Sequence, residues 1–250
     1  MSSATKIPQP HHSPPTLHVF DSHSALGTAA ARDIAACAVE AIAARGRFTV
    51  AISGGSLPKL VFPALIATVP NHRWAHWFIF WADERLVPHN HPDSNFRLAK
   101  ETLFDHVSIP ETQIFPVDTT LSAAEAARKY QKIIETTVGS PPEFDAILLG
   151  VGPDGHTASL FPGHPLPAET WRSVAPVFNS PKPPPARITL TLPTLNRARC
   201  VFFIVTGSRK ADILPRVMLP TPDNRLPAAM VHPAKSPARW YVDVAAAGKI

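Results

Sequence analysis

Apolar residues in this chain fall into short runs separated by polar segments that often contain glycine. Three runs are almost continuously apolar: residues 48–53 (FTVAIS), 77–82 (WFIFWA) and 144–149 (FDAILL). Such runs are typical of strands that are buried on both faces of a parallel sheet. Further strands are predicted at residues 17–20, 173–178, 187–192, 200–205 and 239–244.

Helical patterns lie between these runs. An alanine-rich helix is predicted to begin after Ser22 or Ser24 and to end near Ala44. Ser122 and Glu125 have the spacing of a capping box, which predicts that another helix begins there. Because strands alternate with helices, we expect an α/β protein with a doubly wound, mostly parallel sheet and helices on both faces.

The length and composition favour a single globular domain preceded by a tail. With 250 residues and 45% hydrophobic composition, the chain can bury a sizeable core, and residues 17–250 are interpreted as one α/β catalytic domain. Residues 1–16 contain four prolines and two histidines but few apolar groups, so a flexible tail is expected there.

The sequence carries none of the usual signals for membranes or disulfides. No run approaches the roughly 18 apolar residues of a membrane span, and the N-terminus lacks the layout of a signal peptide. A cytoplasmic protein without membrane association is therefore expected. The two cysteines, Cys37 and Cys200, are far apart in the sequence and are interpreted as buried, reduced thiols.

Positive charge is concentrated in the last third of the chain. The net charge is +5, and residues 171–250 hold 12 of the 24 Lys and Arg residues but only 3 of the 19 acidic residues. This asymmetry indicates an anionic partner. The basic residues form no continuous run and show no aromatic stacking pattern, so a small phosphorylated substrate is favoured over nucleic acid.

Polar groups follow three of the apolar runs directly. Ligands of open α/β sheets bind beyond the carboxyl ends of the strands, so chemistry is expected at these positions. Residues 54–56 (GGS) either bind an anion at a helix N-terminus or form a tight turn with Ser56 as the N-cap. Residues 83–85 (DER) are either site residues or an ion-paired structural cluster. After the third run, His156 is a candidate catalytic residue by position alone.

Several common site types are disfavoured. Residues 150–155 match G-x-G-x-x-G, but Pro153 removes an N–H donor and Asp154 would place negative charge beside a pyrophosphate. No G-K-[ST], G-x-S-x-G, H-E-x-x-H or C-x-x-C pattern is present. Hydrolysis by this chain would therefore use a histidine and water.

A set of motifs resembles the 6-phosphogluconolactonase family across residues 17–247. They are SGGS (53–56), WADERLVP (81–88), DSN (93–95), GVGPDGHTASLFPG (150–163), SPKPPPARITLTLPTLN (180–196) and TGSRKA (206–211). The resemblance implies a fold similar to that of glucosamine-6-phosphate deaminase. It also implies hydrolysis of 6-phospho-D-glucono-1,5-lactone, the second step of the oxidative pentose phosphate pathway, without a metal or an organic cofactor.

The resemblance assigns catalytic roles to three residues. His156 would be the general base that takes a proton from the attacking water. Arg85 would contact the substrate and offset charge in the tetrahedral intermediate. Asp154 either sets the tautomer of His156 or holds the loop by hydrogen bonds to the backbone.

The resemblance also suggests residues that bind the substrate. The phosphate would be held by Gly54, Gly55 and Ser56 together with Arg187 and Lys210. Lys210 would lie at the start of a helix after Gly207, whereas Arg187 has the alternative of being an exposed edge residue. Asn95 would bond a sugar hydroxyl or cap a helix, and Asp83 would also lie at the substrate.

Two other functions stay open at this point. One is a glucosamine-6-phosphate isomerase/deaminase, whose glutamate position is occupied here by Phe161. The other is a non-catalytic sugar-phosphate-binding protein. The chain is expected to act as a monomer on a small phosphorylated sugar lactone.

Overall fold

The protein was analysed as a computed structural model that describes residues 15–218 and 225–250. The strands in the described residues are β1 (Thr16–Phe20), β2 (Phe48–Ile52), β3 (Trp77–Trp81), β4 (Asp83–Arg85), β5 (Ala146–Leu149), β6 (Val174–Val177), β7 (Arg187–Leu190), β8 (Cys200–Val205) and β9 (Arg239–Asp243). The helices are α1 (His23–Arg45), α2 (Leu57–Thr68), α3 (Asn95–Thr102), α4 (Ala123–Thr137), α5 (Leu192–Arg197), α6 (Leu214–Met218) and α7 (Val244–Ala247).

The main sheet has six strands in the order β1-β9-β8-β5-β2-β3, and all neighbouring strands are parallel. Every residue of β2 and β5 is buried, as their unbroken apolar runs predict. The predicted α/β class with a mostly parallel sheet is confirmed.

The main helix boundaries follow from capping residues that the sequence shows. Helix α1 begins after Ser22, whose side chain accepts a hydrogen bond from the Ala25 N–H, and it ends at Gly46 in a left-handed conformation with φ of 73°. The predicted capping box before α4 is confirmed, since Ser122 and Glu125 bond each other's backbone N–H groups.

A second, smaller sheet was not anticipated from the sequence. Strands β4, β7 and β6 form an antiparallel sheet in that order, so the strands predicted near residues 173–178 and 187–192 lie outside the parallel sheet. Residues 83–85 were expected to be a polar segment after a strand, but they form β4 of this sheet. Helix α4 packs against β6 and β7, and its Tyr130 hydroxyl accepts a hydrogen bond from the Trp81 N–H at the end of β3.

The strand order places a crevice between β2 and β5. From β2 the chain continues outward to β3 on one side, whereas β5, β8 and β9 extend the sheet on the other side. Such a reversal of strand order opens a crevice at the carboxyl ends of the two strands, where ligands of this fold class bind. The loops after β2 and β5, which contain residues 54–56 and 150–156, flank this position.

Some predictions differ in detail or lie outside the described residues. The segment after Gly207 forms only a short 3₁₀ turn, Ser208–Lys210, before α6. The predicted tail, residues 1–16, lies mostly outside the described residues, and Thr16 already belongs to β1. Within the described ranges, no helix is both long enough and apolar enough to cross a bilayer.

Candidate active site

A cleft at the carboxyl end of the main sheet brings together most of the residues singled out in the sequence. Its walls come from the loops after β2, β5 and β8 and from β4. The predicted site residues that line it are Gly54, Gly55, Ser56, Asp83, Arg85, His156 and Lys210. Four segments that are distant in sequence therefore meet at one place, as the strand order requires.

His156 and Asp154 form a tight pair in the loop after β5. The Nδ1 atom of His156 lies 2.5 Å from Oδ1 of Asp154, and the same oxygen is 3.4 Å from the His156 backbone nitrogen. The carboxylate oxygen so close to Nδ1 favours the tautomer with a proton on that nitrogen; the Lys182 ammonium, which also lies near Nδ1, is then paired with the Asp154 carboxylate and not with the ring. Nε2 is then the acceptor nitrogen, and no residue in the described part of the chain bonds to it. The pair therefore presents a proton acceptor to the cleft.

The surroundings keep the imidazole of His156 neutral at pH 7. Its side chain is 18% exposed, and burial together with the Lys182 charge lowers its pKa below the usual value, although the Asp154 carboxylate acts to raise it. Partial burial alone would raise the pKa of Asp154, but the hydrogen bond with His156 and the Lys182 ammonium lower it to about 2. Asp154 is thus ionised and His156 is uncharged under ordinary conditions.

Lys182 is a site residue that sequence reasoning missed. It belongs to the segment between β6 and β7, and its Nζ lies 3.2 Å from Oδ1 of Asp154 and 3.0 Å from Nδ1 of His156. The residue stands inside the SPKPPPAR motif, so a signal was present. Its role was hidden because this contact exists only once the segment folds back onto the main sheet.

The imidazole of His156 lies between the ring of Phe161 and the backbone of Gly152. Phe161 is fully buried, and its ring centroid lies 4.8 Å from that of His156. On Gly152, a Cβ atom would lie 1.9 Å from Nδ1 of His156. The φ of Gly152 is not positive, unlike the φ of 83° at Gly155. The glycine at position 152 is needed for space beside the imidazole.

The DER segment has three separate roles and is not the ion-paired cluster that was the alternative interpretation. The Asp83 carboxylate accepts a hydrogen bond from the Ser159 hydroxyl at 2.7 Å, and Arg85 donates to the Asp93 carbonyl at 3.0 Å. Glu84 is fully buried and accepts backbone N–H bonds at 2.7–2.8 Å from Arg85 and from the first two residues of α3. Burial raises the pKa of Glu84 to about 7, although these N–H groups act to lower it.

The hydrogen bonds that Glu84 accepts therefore fix the backbone of Arg85, whose side chain lines the cleft. Two buried polar atoms at the cleft, Arg85 Nε and Ser53 Oγ, have no hydrogen-bond partner among the described residues. Buried polar groups are nearly always satisfied in folded proteins, so such atoms beside a cleft suit a polar ligand. Ser53 precedes the GGS segment and was not singled out in the sequence.

The other side of the cleft is electropositive. Gly55 and Ser56 precede α2, and within the described ranges their N–H groups donate to no acceptor. Ser56 occupies the N-cap position, but its side chain makes no capping hydrogen bond. Lys210 is half-buried; burial and then the Lys182 and Arg209 charges lower its pKa, while Asp154 raises it. This arrangement favours an anion in the cleft.

The structure does not bring Arg187 and Asn95 to the cleft. Arg187 is 3% exposed, so it is neither a cleft residue nor an exposed edge residue. Its guanidinium donates to the carbonyls of residues 182–184 and to the Ser159 hydroxyl, and it lies over the Phe161 ring. A buried guanidinium requires such partners, and these four bonds use four of its five N–H donors.

Asn95 is buried at the start of α3. Its Nδ2 donates to the Asp83 carbonyl at 2.8 Å, and a Cβ on Gly54 would lie 1.9 Å from its Oδ1. The N-cap of α3 is Ser94, which accepts a hydrogen bond from the Arg97 N–H. Asn95 therefore connects β4 to the turn after β2, and it supports Asp83 and Gly54, which line the cleft.

Comparisons with known proteins agree with this geometry. A model of the family described as glucosamine-6-phosphate isomerases/6-phosphogluconolactonase matches residues 21–240. The human 6-phosphogluconolactonase is 44% identical over 240 residues, which cover 94% of this chain and 93% of the human protein. The rat protein of the same name is 43% identical with the same coverage.

Solved structures show the same relationship. The 6-phosphogluconolactonase from Trypanosoma brucei superposes with a TM-score of 0.85 at 29% identity, covering 96% of this chain and 99% of that chain. A monomeric glucosamine-6-phosphate deaminase superposes with a TM-score of 0.77 at 17% identity, covering 94% of this chain and 100% of that chain, and at that identity it shows the fold alone. On these matches, this chain belongs to the glucosamine-6-phosphate isomerase/6-phosphogluconolactonase family.

Proposed function

We propose that this chain hydrolyses 6-phospho-D-glucono-1,5-lactone to 6-phospho-D-gluconate. Relatives with 42–44% identity over 94% of the chain are named 6-phosphogluconolactonase. The observation that carries the proposal is the Asp154–His156 pair, which leaves a neutral imidazole facing an electropositive cleft. This combination suits water attack on an anionic ester.

In the first step, Nε2 of His156 takes a proton from water while the water oxygen bonds to the lactone carbonyl carbon. A neutral imidazole is the competent form of a general base, and Asp154 holds it in the tautomer with Nδ1 protonated. The charge of Asp154 also stabilises the imidazolium that forms. A lactone is an activated ester, so no covalent nucleophile is invoked.

In the second step, the tetrahedral intermediate collapses. The bond between the carbonyl carbon and the ring oxygen breaks, and the imidazolium of His156 returns its proton to that oxygen, which becomes a hydroxyl group. Arg85 lines the same cleft as His156, and its positively charged guanidinium can offset the charge of the oxyanion. The product carboxylic acid then ionises in water.

The phosphate is placed at the N-terminus of α2, against Gly54, Gly55 and Ser56, with Lys210 as the cation. Backbone N–H groups and the helix dipole favour an anion there, and Lys210 adds a charge on the same cleft. Arg187 is left out of the phosphate site, because it is buried away from the cleft and four of its five N–H donors are used within the protein.

Some parts of the proposal rest on the resemblance to the family. We place the reaction as the second step of the oxidative pentose phosphate pathway. Two rice relatives, 39% identical over 91% of this chain and 73% of their own length, are described as chloroplastic, so the expected cytoplasmic location stays a prediction. The monomeric state and the lack of nucleic-acid binding also stay predictions.

A lactonase assay with matched histidine variants tests the proposal. His156→Asn should lower kcat roughly 10²- to 10⁴-fold, the range for a lost general base, after spontaneous lactone hydrolysis is subtracted. His164→Asn is the control, because His164 lies eight residues further on and outside the lining of the cleft. Equal activity of folded His156→Asn and the unmodified protein would remove His156 from the mechanism. No acceleration by the unmodified protein would refute the function.

A further inference from the structure

The two cysteines of the chain meet in the fold, although 163 positions separate them in sequence. Cys37 lies in α1 and Cys200 is the first residue of β8, and their Sγ atoms are 3.2 Å apart. Both are free thiols, as the sequence interpretation expected, but Cys200 is only partly buried and the contact between them was not predicted. It lies at the amino end of β8, whereas the cleft lies at the carboxyl ends of the strands.

The two thiols have different surroundings. Cys37 is 8% exposed, whereas Cys200 is partly accessible from outside. A hydrogen bond from Cys37 lowers the pKa of Cys200, and the positive charge of Arg239 acts in the same direction. The same contact with Cys200 raises the pKa of Cys37, which burial raises further. An accessible thiol beside a cation is the reactive type, and a buried neutral thiol next to it suits a resolving partner.

We propose that Cys37 and Cys200 form an oxidisable pair that hydrogen peroxide converts into an intramolecular disulfide between α1 and β8. The Cys200 thiolate attacks one peroxide oxygen, the O–O bond breaks, and hydroxide leaves and is protonated to water. Cys200 is then a sulfenic acid. The Cys37 sulfur attacks the Cys200 sulfur, the S–O bond breaks, and a second water leaves with the Cys37 proton. Two thiols lose two electrons in total, and peroxide is reduced to two waters.

The geometry needs little change for this bond. A disulfide has a sulfur–sulfur distance of about 2.05 Å, so the two thiol sulfurs must approach by roughly 1 Å. The new bond would close a long chain loop and restrict the unfolded state, which stabilises the folded one. For a protein of this size, the melting temperature should rise by roughly 5–15 °C.

Mass spectrometry on the full chain tests the pair directly. The reduced protein is treated with a small molar excess of hydrogen peroxide, denatured, alkylated and weighed. We expect a loss of about 2 Da, no alkylation, and a peptide in which Cys37 and Cys200 are linked. Two alkylated thiols after treatment, or a link between two chains, would overturn the proposal.

Single variants separate the roles of the two sulfurs. In Cys37→Ala, peroxide should leave a sulfenic acid on Cys200 that a dimedone probe captures, whereas in Cys200→Ala the Cys37 thiol should stay reduced. Sulfenic acid on Cys37 with none on Cys200 would reverse the assignment. The melting temperature should rise on oxidation only in the unmodified protein, and a rise in either variant would show another cause. None of these readouts depends on lactone hydrolysis.

Discussion

Lys210 and Arg187 were both expected to bind the phosphate, and the structure now separates them into different predictions. Lys210 lines the cleft, and no described residue forms a hydrogen bond or an ion pair with its ammonium. Arg187 is buried, and its guanidinium makes four hydrogen bonds within the protein. Removing Lys210 should therefore affect the substrate, whereas removing Arg187 should affect the fold.

The expected losses of activity and of stability follow from the environments of the two side chains. A hydrogen bond to a charged group contributes roughly 1.5–3 kcal/mol, and the half-exposed position of Lys210 favours the lower part of that range. About 2 kcal/mol corresponds to a roughly 30-fold lower kcat/KM for the phosphorylated lactone. Arg187→Met would leave several buried acceptors without donors, at a cost on the order of 3–5 kcal/mol of unfolding free energy. Its melting temperature should fall by roughly 10 °C.

The assay compares the phosphorylated lactone with glucono-1,5-lactone, which has no phosphate. Lys210→Ala should lower kcat/KM for the first substrate and leave the second nearly unchanged. Arg209→Ala is the matched control, because Arg209 is the neighbouring cation but is exposed and outside the cleft lining. Equal losses on both substrates in Lys210→Ala would refute phosphate recognition. An equal loss in Arg209→Ala would show that only overall charge matters.

Three further predictions concern His156 and its surroundings. Gly152→Ala should lower kcat at least about 100-fold in the lactone assay, because the new Cβ would displace the imidazole of His156. Gly150→Ala should stay active, because a Cβ at Gly150 would lie 3.9 Å from the nearest protein atom. Burial and the Lys182 charge both lower the pKa of His156, so Lys182→Met should raise that pKa and shift the acid limb of the kcat/KM profile to higher pH. A shift to lower pH would contradict this. The protein should release no ammonia from glucosamine 6-phosphate, because the apolar ring beside His156 cannot exchange a proton, and ammonia formation as fast as lactone hydrolysis would favour the deaminase.

The parallel sheet and the loop that carries the candidate catalytic residues could be predicted because their signals are local. Continuous apolar runs indicate strands buried on both faces, and polar residues directly after them indicate the ligand edge of the sheet. His156, Asp154 and Arg85 were singled out as candidates in this way, and the family resemblance suggested their roles. The GGS turn followed from the same logic at the end of β2.

The remaining features depend on contacts between distant segments. Three charged residues after a strand do not reveal that they form β4 of a second sheet. Arg187 looks like an anion-binding residue until the segment of residues 182–184 folds around its guanidinium. The approach of Cys37 to Cys200 also depends on how α1 packs against the sheet. In each case the pairing is set by tertiary packing, for which no local pattern exists.

The cleft is lined by residues from both sheets, so activity depends on how the two sheets pack against each other. Asp154 and His156 follow β5 of the large sheet, whereas Lys182 and Arg85 come from the small sheet and its connecting segment. Cooperative units of a protein open with different free energies, and the small sheet is held to the large one by the shared core residues Val174, Ile188 and Leu190. Local opening of the small sheet would remove the positive charges from His156 while the large sheet stays folded. Catalytic competence is thus a property of the docked sheets, and inactivation can precede global unfolding.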